Sequence, residues 1–113
     1  MNVLYRINED FSLCILPVTF NKEIINHVLI TYQNDKLFYI LGGFENLLER
    51  IKKYPEDTDY IINHLHGVEH INFLNGYCKL TMYCINNLNF SEDNFQVDFA
   101  KFIIKVLQNL IFQ

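Results

Sequence analysis

The chain has 113 residues, of which 50% are hydrophobic and 19% charged. That excludes a disordered chain and allows one domain, 1–113, with a single core. The net charge is −4, and the densest basic cluster (Arg50, Lys52, Lys53) stands among Glu45, Glu49, Glu56, Asp57 and Asp59; no direct nucleic-acid contact is expected, because a basic phosphate-binding footprint is missing.

Val3 to Ile7 alternates and suits a strand, and Asn8-Glu9-Asp10 is turn chemistry. Phe11 to Leu16 follows, with Phe11, Leu13 and Ile15 on one face and Ser12 and Cys14 on the other. This spacing predicts a hairpin. Pro17 lacks a ladder N–H and is expected to end the second strand. Phe20 to Asn26 reads as irregular. His27 to Tyr32 and Leu37 to Leu41 flank the turn Gln33-Asn34-Asp35-Lys36, a second hairpin, and Gly42-Gly43 punctuates the chain.

Phe44, Leu47, Leu48 and Ile51 recur at i, i+3, i+4 and i+7, which predicts an amphipathic helix over Phe44 to Lys53. Tyr54-Pro55 ends it, since a residue before proline avoids helical geometry. A second helix is expected after Pro55, capped by Asp57 or Thr58, with Ile61, Ile62 and Leu65 buried and Gly67 closing it. Val68 to Leu74, Asn75-Gly76 and Tyr77 to Ile85 read as a third hairpin. In it Cys78, Leu80, Met82 and Cys84 share one face.

The last element predicted is a helix over Asn94 to Ile111. Phe95, Phe99, Phe102, Ile103, Val106, Leu107 and Leu110 form its apolar stripe, while Asp98, Lys101, Lys105, Gln108 and Asn109 fall mostly opposite. The expected architecture is α+β: a mainly antiparallel sheet of about six strands from three hairpins. Two central helices and the long C-terminal helix would cover one face.

No apolar run is long enough to span a bilayer, and Met1 to Arg6 lacks the features of a signal peptide. Cys14, Cys78 and Cys84 make an odd count without CxxC spacing, as expected of buried thiols in a reducing cytoplasm.

Candidate chemistry is sparse. His64, His66, Glu69 and His70 offer metal-ligand types. Yet His64 and His66 diverge on a helix, and its carboxyl-terminal dipole accounts for histidine there. No metal is expected. No catalytic thiol is expected either, since the predicted strand face would bury Cys78 and Cys84. Gly42-Gly43 lacks the spacing of a nucleotide loop, so no cofactor is expected.

The acidic surface has directional content. Glu45, Glu49, Glu56, Asp57, Asp59 and Glu69 form one patch, and Glu92, Asp93 and Asp98 a second. Such surfaces complement basic partners and speed association. Tyr32, Tyr39, Tyr54, Tyr60, Tyr77 and Tyr83 are candidate interface anchors.

In length, charge and α+β make-up the whole chain resembles the small bacterial immunity proteins that neutralise toxins of contact-dependent inhibition and related systems. The resemblance implies a cytoplasmic inhibitor, not an enzyme, that caps the active site of a nuclease-like toxin as a monomer or homodimer. Glu45, Glu49, Asp57, Asp59 and Glu69 would face the toxin's basic groups, with Tyr54 and Tyr60 as anchors. Charge reversal at Asp57 and Asp59 would then slow association. The alternatives are a secretion-type chaperone, which would be a dimer wrapping an unfolded segment, or a small metal-dependent enzyme using His64, His66, Glu69 and His70. A homo-oligomer pairing through the terminal helix is a further possibility.

Overall fold

The computed structural model describes residues 2–33, 36–60 and 71–111. Among the described residues, strands β1 (Asn2–Arg6), β2 (Phe11–Phe20), β3 (Glu23–Tyr32) and β4 (Lys36–Gly43) form a sheet in the order β1-β2-β3-β4. Every pairing is antiparallel. Helices α1 (Phe44–Lys53), α2 (Ile71–Leu88) and α3 (Phe95–Ile111) follow. The fold is α+β.

Local chemistry sets the first turn. The Asn8 side-chain oxygen accepts the N–H groups of Asp10 at 2.8 Å and Phe11 at 2.9 Å. That Asx geometry reverses the chain between β1 and β2. The register then pairs Phe11 with Tyr32, Leu13 with Ile30 and Ile15 with Val28. Because side chains alternate, these residues share the helix-covered face. Phe11, Leu13, Val28, Ile30, Tyr32, Phe38 and Leu41 join Leu47, Ile51, Leu80, Cys84, Phe99, Ile103 and Leu107 in one buried cluster. Phe11 stacks on Tyr32 with centroids 4.8 Å apart and meets Phe38 edge-on at 5.4 Å. The sheet's other face is also buried at its centre, at Ser12, Cys14, Leu29 and Thr31.

The stretch 20–26 is not irregular. Strand β2 continues through Pro17, which pairs with Asn26, and the ladder runs to Phe20–Glu23. Asn21 and Lys22 both have positive φ, 50° and 66°. Positive φ at both central residues defines the two-residue type I′ hairpin turn, whose twist matches the strands. Proline is tolerated because the β1 pairing stops at Ile15, so β2 is an edge strand beyond that point. β-branched Val18, Thr19, Ile24 and Ile25 favour the extended form.

The third hairpin is replaced by helix α2, an 18-residue element that passes straight through Asn75-Gly76. Residues 68–70 lie outside the described residues. The buried positions Gly76, Leu80 and Cys84 are one turn apart, whereas Cys78 and Met82 are exposed on another face. The alternation of Cys78, Leu80, Met82 and Cys84 is therefore two helical rows read as one strand face. Gly76 provides room for a ring rather than a turn: a Cβ there would lie 2.6 Å from Phe38 Cε2.

Helix α1 has the expected bounds, with Leu47 and Ile51 buried. Gly42, at φ 143°, makes the strand-to-helix junction in a conformation that side chains disfavour. Residues 58–60 are helical, and the rest of the expected second helix lies outside the described residues. Asn89, at φ 58°, ends α2, and the Phe90 N–H returns to the Cys84 carbonyl at 3.2 Å. Helix α3 buries Phe95, Phe99, Ala100, Ile103, Ile104, Val106 and Leu107. Full burial of a large apolar side chain contributes about 1.5–3 kcal/mol, so this face holds the helix to the sheet.

Candidate functional site

The β2–β3 hairpin outruns its neighbours. The β1 ladder begins at Asn2–Ile15 and the β4 ladder reaches only His27–Gly43. Among the described residues, 17–26 thus form a two-stranded arm paired only within itself. From Pro17–Asn26 to Phe20–Glu23 it extends about 10 Å at 3.4 Å per residue. Side chains 21–26 are all exposed; Ile24 is 74% exposed and Ile25 36%. Two-stranded ribbons are marginal in water by themselves, and nothing among the described residues covers Ile24.

The arm is continuous with α1. A Cβ on Gly43 would lie 3.8 Å from Ile25 Cγ2 and 3.5 Å from Asn46 Nδ2. Ile25 therefore sits over the amino end of α1. Glu45 and Glu49, one turn apart, are exposed on that helix, and Asp59 is exposed beyond it. Glu45 stands in the first turn of α1, at the end that Ile25 adjoins, whereas Lys52 and Lys53 are exposed in the last turn.

Three expected site residues converge on a fourth that composition alone did not single out. The Arg50 guanidinium donates to Asp57 Oδ2 through both Nε, at 3.2 Å, and Nη2. Its Cζ lies 4.5 Å from the Tyr54 ring centroid and 5.1 Å from that of Tyr60. Cation–π contacts at such sites contribute about 0.5–1 kcal/mol each. The guanidinium beside Asp57 holds its carboxyl below the ordinary carboxylate range, first through the hydrogen bond and then through charge. Asp57 is thus already paired within the chain. Tyr60 is half-buried against the core, while Tyr54 is 45% exposed with Arg50 near its ring.

Other expected residues are distributed as follows. Glu69, His64, His66 and His70 lie outside the described residues. Among the described residues, no group of three or more His, Cys, Asp or Glu side chains is placed to hold a metal. Tyr32 is buried against Phe11 rather than offered as an anchor, and the side chains of Tyr39 and Tyr77 lie outside the described ones. Cys14 and Cys84 are buried, but Cys78 is exposed, a correction that follows from α2 being helical. Burial pushes the Cys84 thiol up to about 12. No helix among the described residues is long and apolar enough to cross a membrane.

The arm is the feature that reading the sequence missed. Its signal was Asn21 before Lys22 between β-branched pairs, obscured by Pro17 and by a lysine where glycine is usual. No known protein family, curated protein or solved structure matches this chain.

Proposed function

We propose that this chain is an acidic protein-binding inhibitor, an immunity protein that neutralises a nuclease-like toxin in the cytoplasm by occluding its active site. The observation that carries this reading is the arm 17–26, which exposes Ile24 and Ile25 and adjoins the amino end of α1, the helix that carries the exposed Glu45 and Glu49. An exposed apolar stretch that no described side chain covers supplies the kind of anchor that interfaces use. The flanking acids suit the basic groups with which a nuclease holds its substrate, and they raise the association rate. The arm enters the toxin's cleft, and α1 with Tyr54 and Asp59 forms the rim. Asp57 orders this rim through Arg50 rather than meeting the partner.

The test is association kinetics with the toxin domain at low and high salt. Glu45→Lys with Glu49→Lys should slow association at low salt and leave it little changed at high salt. Ile24→Asp should instead speed dissociation. Unchanged kinetics in both variants would remove this surface from the interface.

A further inference from the structure

A groove of about 680 Å³ lies between β1 and the outer side of α3 and shares no residue with the arm or α1. Its floor is apolar and largely aromatic. Tyr5 meets Phe102 edge-on with centroids 5.3 Å apart, and Phe90 lies 6.1 Å from Phe102. Leu4 and Leu110 extend the floor at the two sides. Tyr5 is 42% exposed, and Leu4, Phe90, Phe102 and Leu110 are half-buried. The volume falls within the roughly 300–1,000 Å³ of small-molecule sites.

The rim is basic on a chain of net charge −4. Lys101 and Lys105 line the groove one helical turn apart, and both are exposed. Among the described residues neither is ion-paired. The remaining charged lining group, Asp98, accepts the Ser91 N–H at 2.7 Å. Like charges at this spacing repel each other, so an anion held between the two ammonium groups would relieve that repulsion. An apolar floor beside two lysines that make no ion pair among the described residues suits a molecule with an apolar body and one anionic end.

We infer that this groove binds an amphipathic carboxylate of the fatty-acid class, its chain over Tyr5, Phe90 and Phe102 and its carboxylate between Lys101 and Lys105. The test is titration of the full chain with dodecanoate, below the concentration at which it forms micelles, by calorimetry and amide NMR. Saturable one-to-one binding is expected, with shifts at Tyr5, Phe90 and Phe102. Both lysines are exposed, so Lys101→Glu with Lys105→Glu should keep the fold while weakening binding by roughly tenfold or more. Dodecyltrimethylammonium should not compete. Four results would overturn the assignment: no saturable binding, equal binding of the cationic detergent, affinity unmoved in the double variant, or shifts that follow protein concentration instead of dodecanoate. The last of these would give the groove to a second copy of the chain.

Discussion

Gly76 of α2 lies directly against the ring of Phe38 on β4, so closely that a Cβ would stand 2.6 Å from Cε2 and 3.2 Å from Cδ2. Phe38 is held in turn by Phe11 and Tyr32, with centroids 5.4 and 5.9 Å away. Gly76→Ala gains about 0.8–1.0 kcal/mol of helix propensity. It also overpacks a restrained core, which costs about 1–3 kcal/mol. A net loss of about 1 kcal/mol in urea unfolding is expected. In a Phe38→Leu background, where the ring edge is gone, the same change should be neutral or stabilising. Equal effects in both backgrounds would deny the contact.

Lys22 holds φ 66° in the tip of the arm. Left-handed geometry costs a side-chain-bearing residue about 1–2 kcal/mol, partly offset by the entropy that glycine loses on folding. Lys22→Gly should therefore stabilise the chain by about 0.5–1 kcal/mol. In an irregular loop with negative φ, the added freedom would instead destabilise. The sign of the shift in the unfolding midpoint distinguishes the two.

Thiol reactivity separates the helix from the strand expected over Tyr77 to Ile85. Cys78 is exposed, whereas Cys84 is buried with its thiol pushed up to about 12. Thiolate is the reactive form, so Cys84 stays inert at neutral pH. Iodoacetamide at pH 7.5 should modify Cys78 first in the native protein. Cys14 and Cys84 should react only on unfolding, as read by mass spectrometry of the peptides.

Asp57 links stability to pH. Its carboxyl is held below its ordinary value by Arg50. A depressed folded pKa gives stability that is fully present above the unfolded value of about 3.9 and lost as pH falls through the folded value. Wild type should exceed Asp57→Asn in urea midpoint at pH 7. The two curves should converge below about pH 4. A gap that stays constant to pH 2.5 would mean that Asp57 contributes by shape alone.

The parts of this fold legible in the sequence are those fixed by local rules. Phe44, Leu47 and Ile51 placed α1, and the stripe from Phe95 to Leu110 placed α3, because each helix packs one periodic face. Asn8 gave the first turn through its own side chain. What was not legible depends on partners distant in sequence. Asn75-Gly76 is the strongest short hairpin signal, yet Phe38, some forty residues earlier, decides why glycine is there. Pro17 looks locally like a strand end, because nothing near it in sequence says that β1 stops short of it. Among the expected site residues, Glu45, Glu49, Tyr54 and Asp59 are exposed, while Asp57 and Tyr60 turn toward Arg50. Charge counting cannot separate a free acid from one already paired, since pairing is a matter of geometry.

On the proposed function, the arm docks a basic toxin domain. The most direct measurement is paired affinity capture from the native cell lysate with wild-type and Ile24→Asp baits, followed by titration of the captured protein's activity. Ile24 is largely exposed, so the substitution should cost no more than the strand preference of the side chain, about 1 kcal/mol, and leave the chain folded. The expected result is one stoichiometric protein with a basic domain, retained by wild type, lost from Ile24→Asp and inhibited by wild type at one equivalent. Retention of the same proteins by both baits, or a captured protein whose activity wild type leaves untouched, would contradict it.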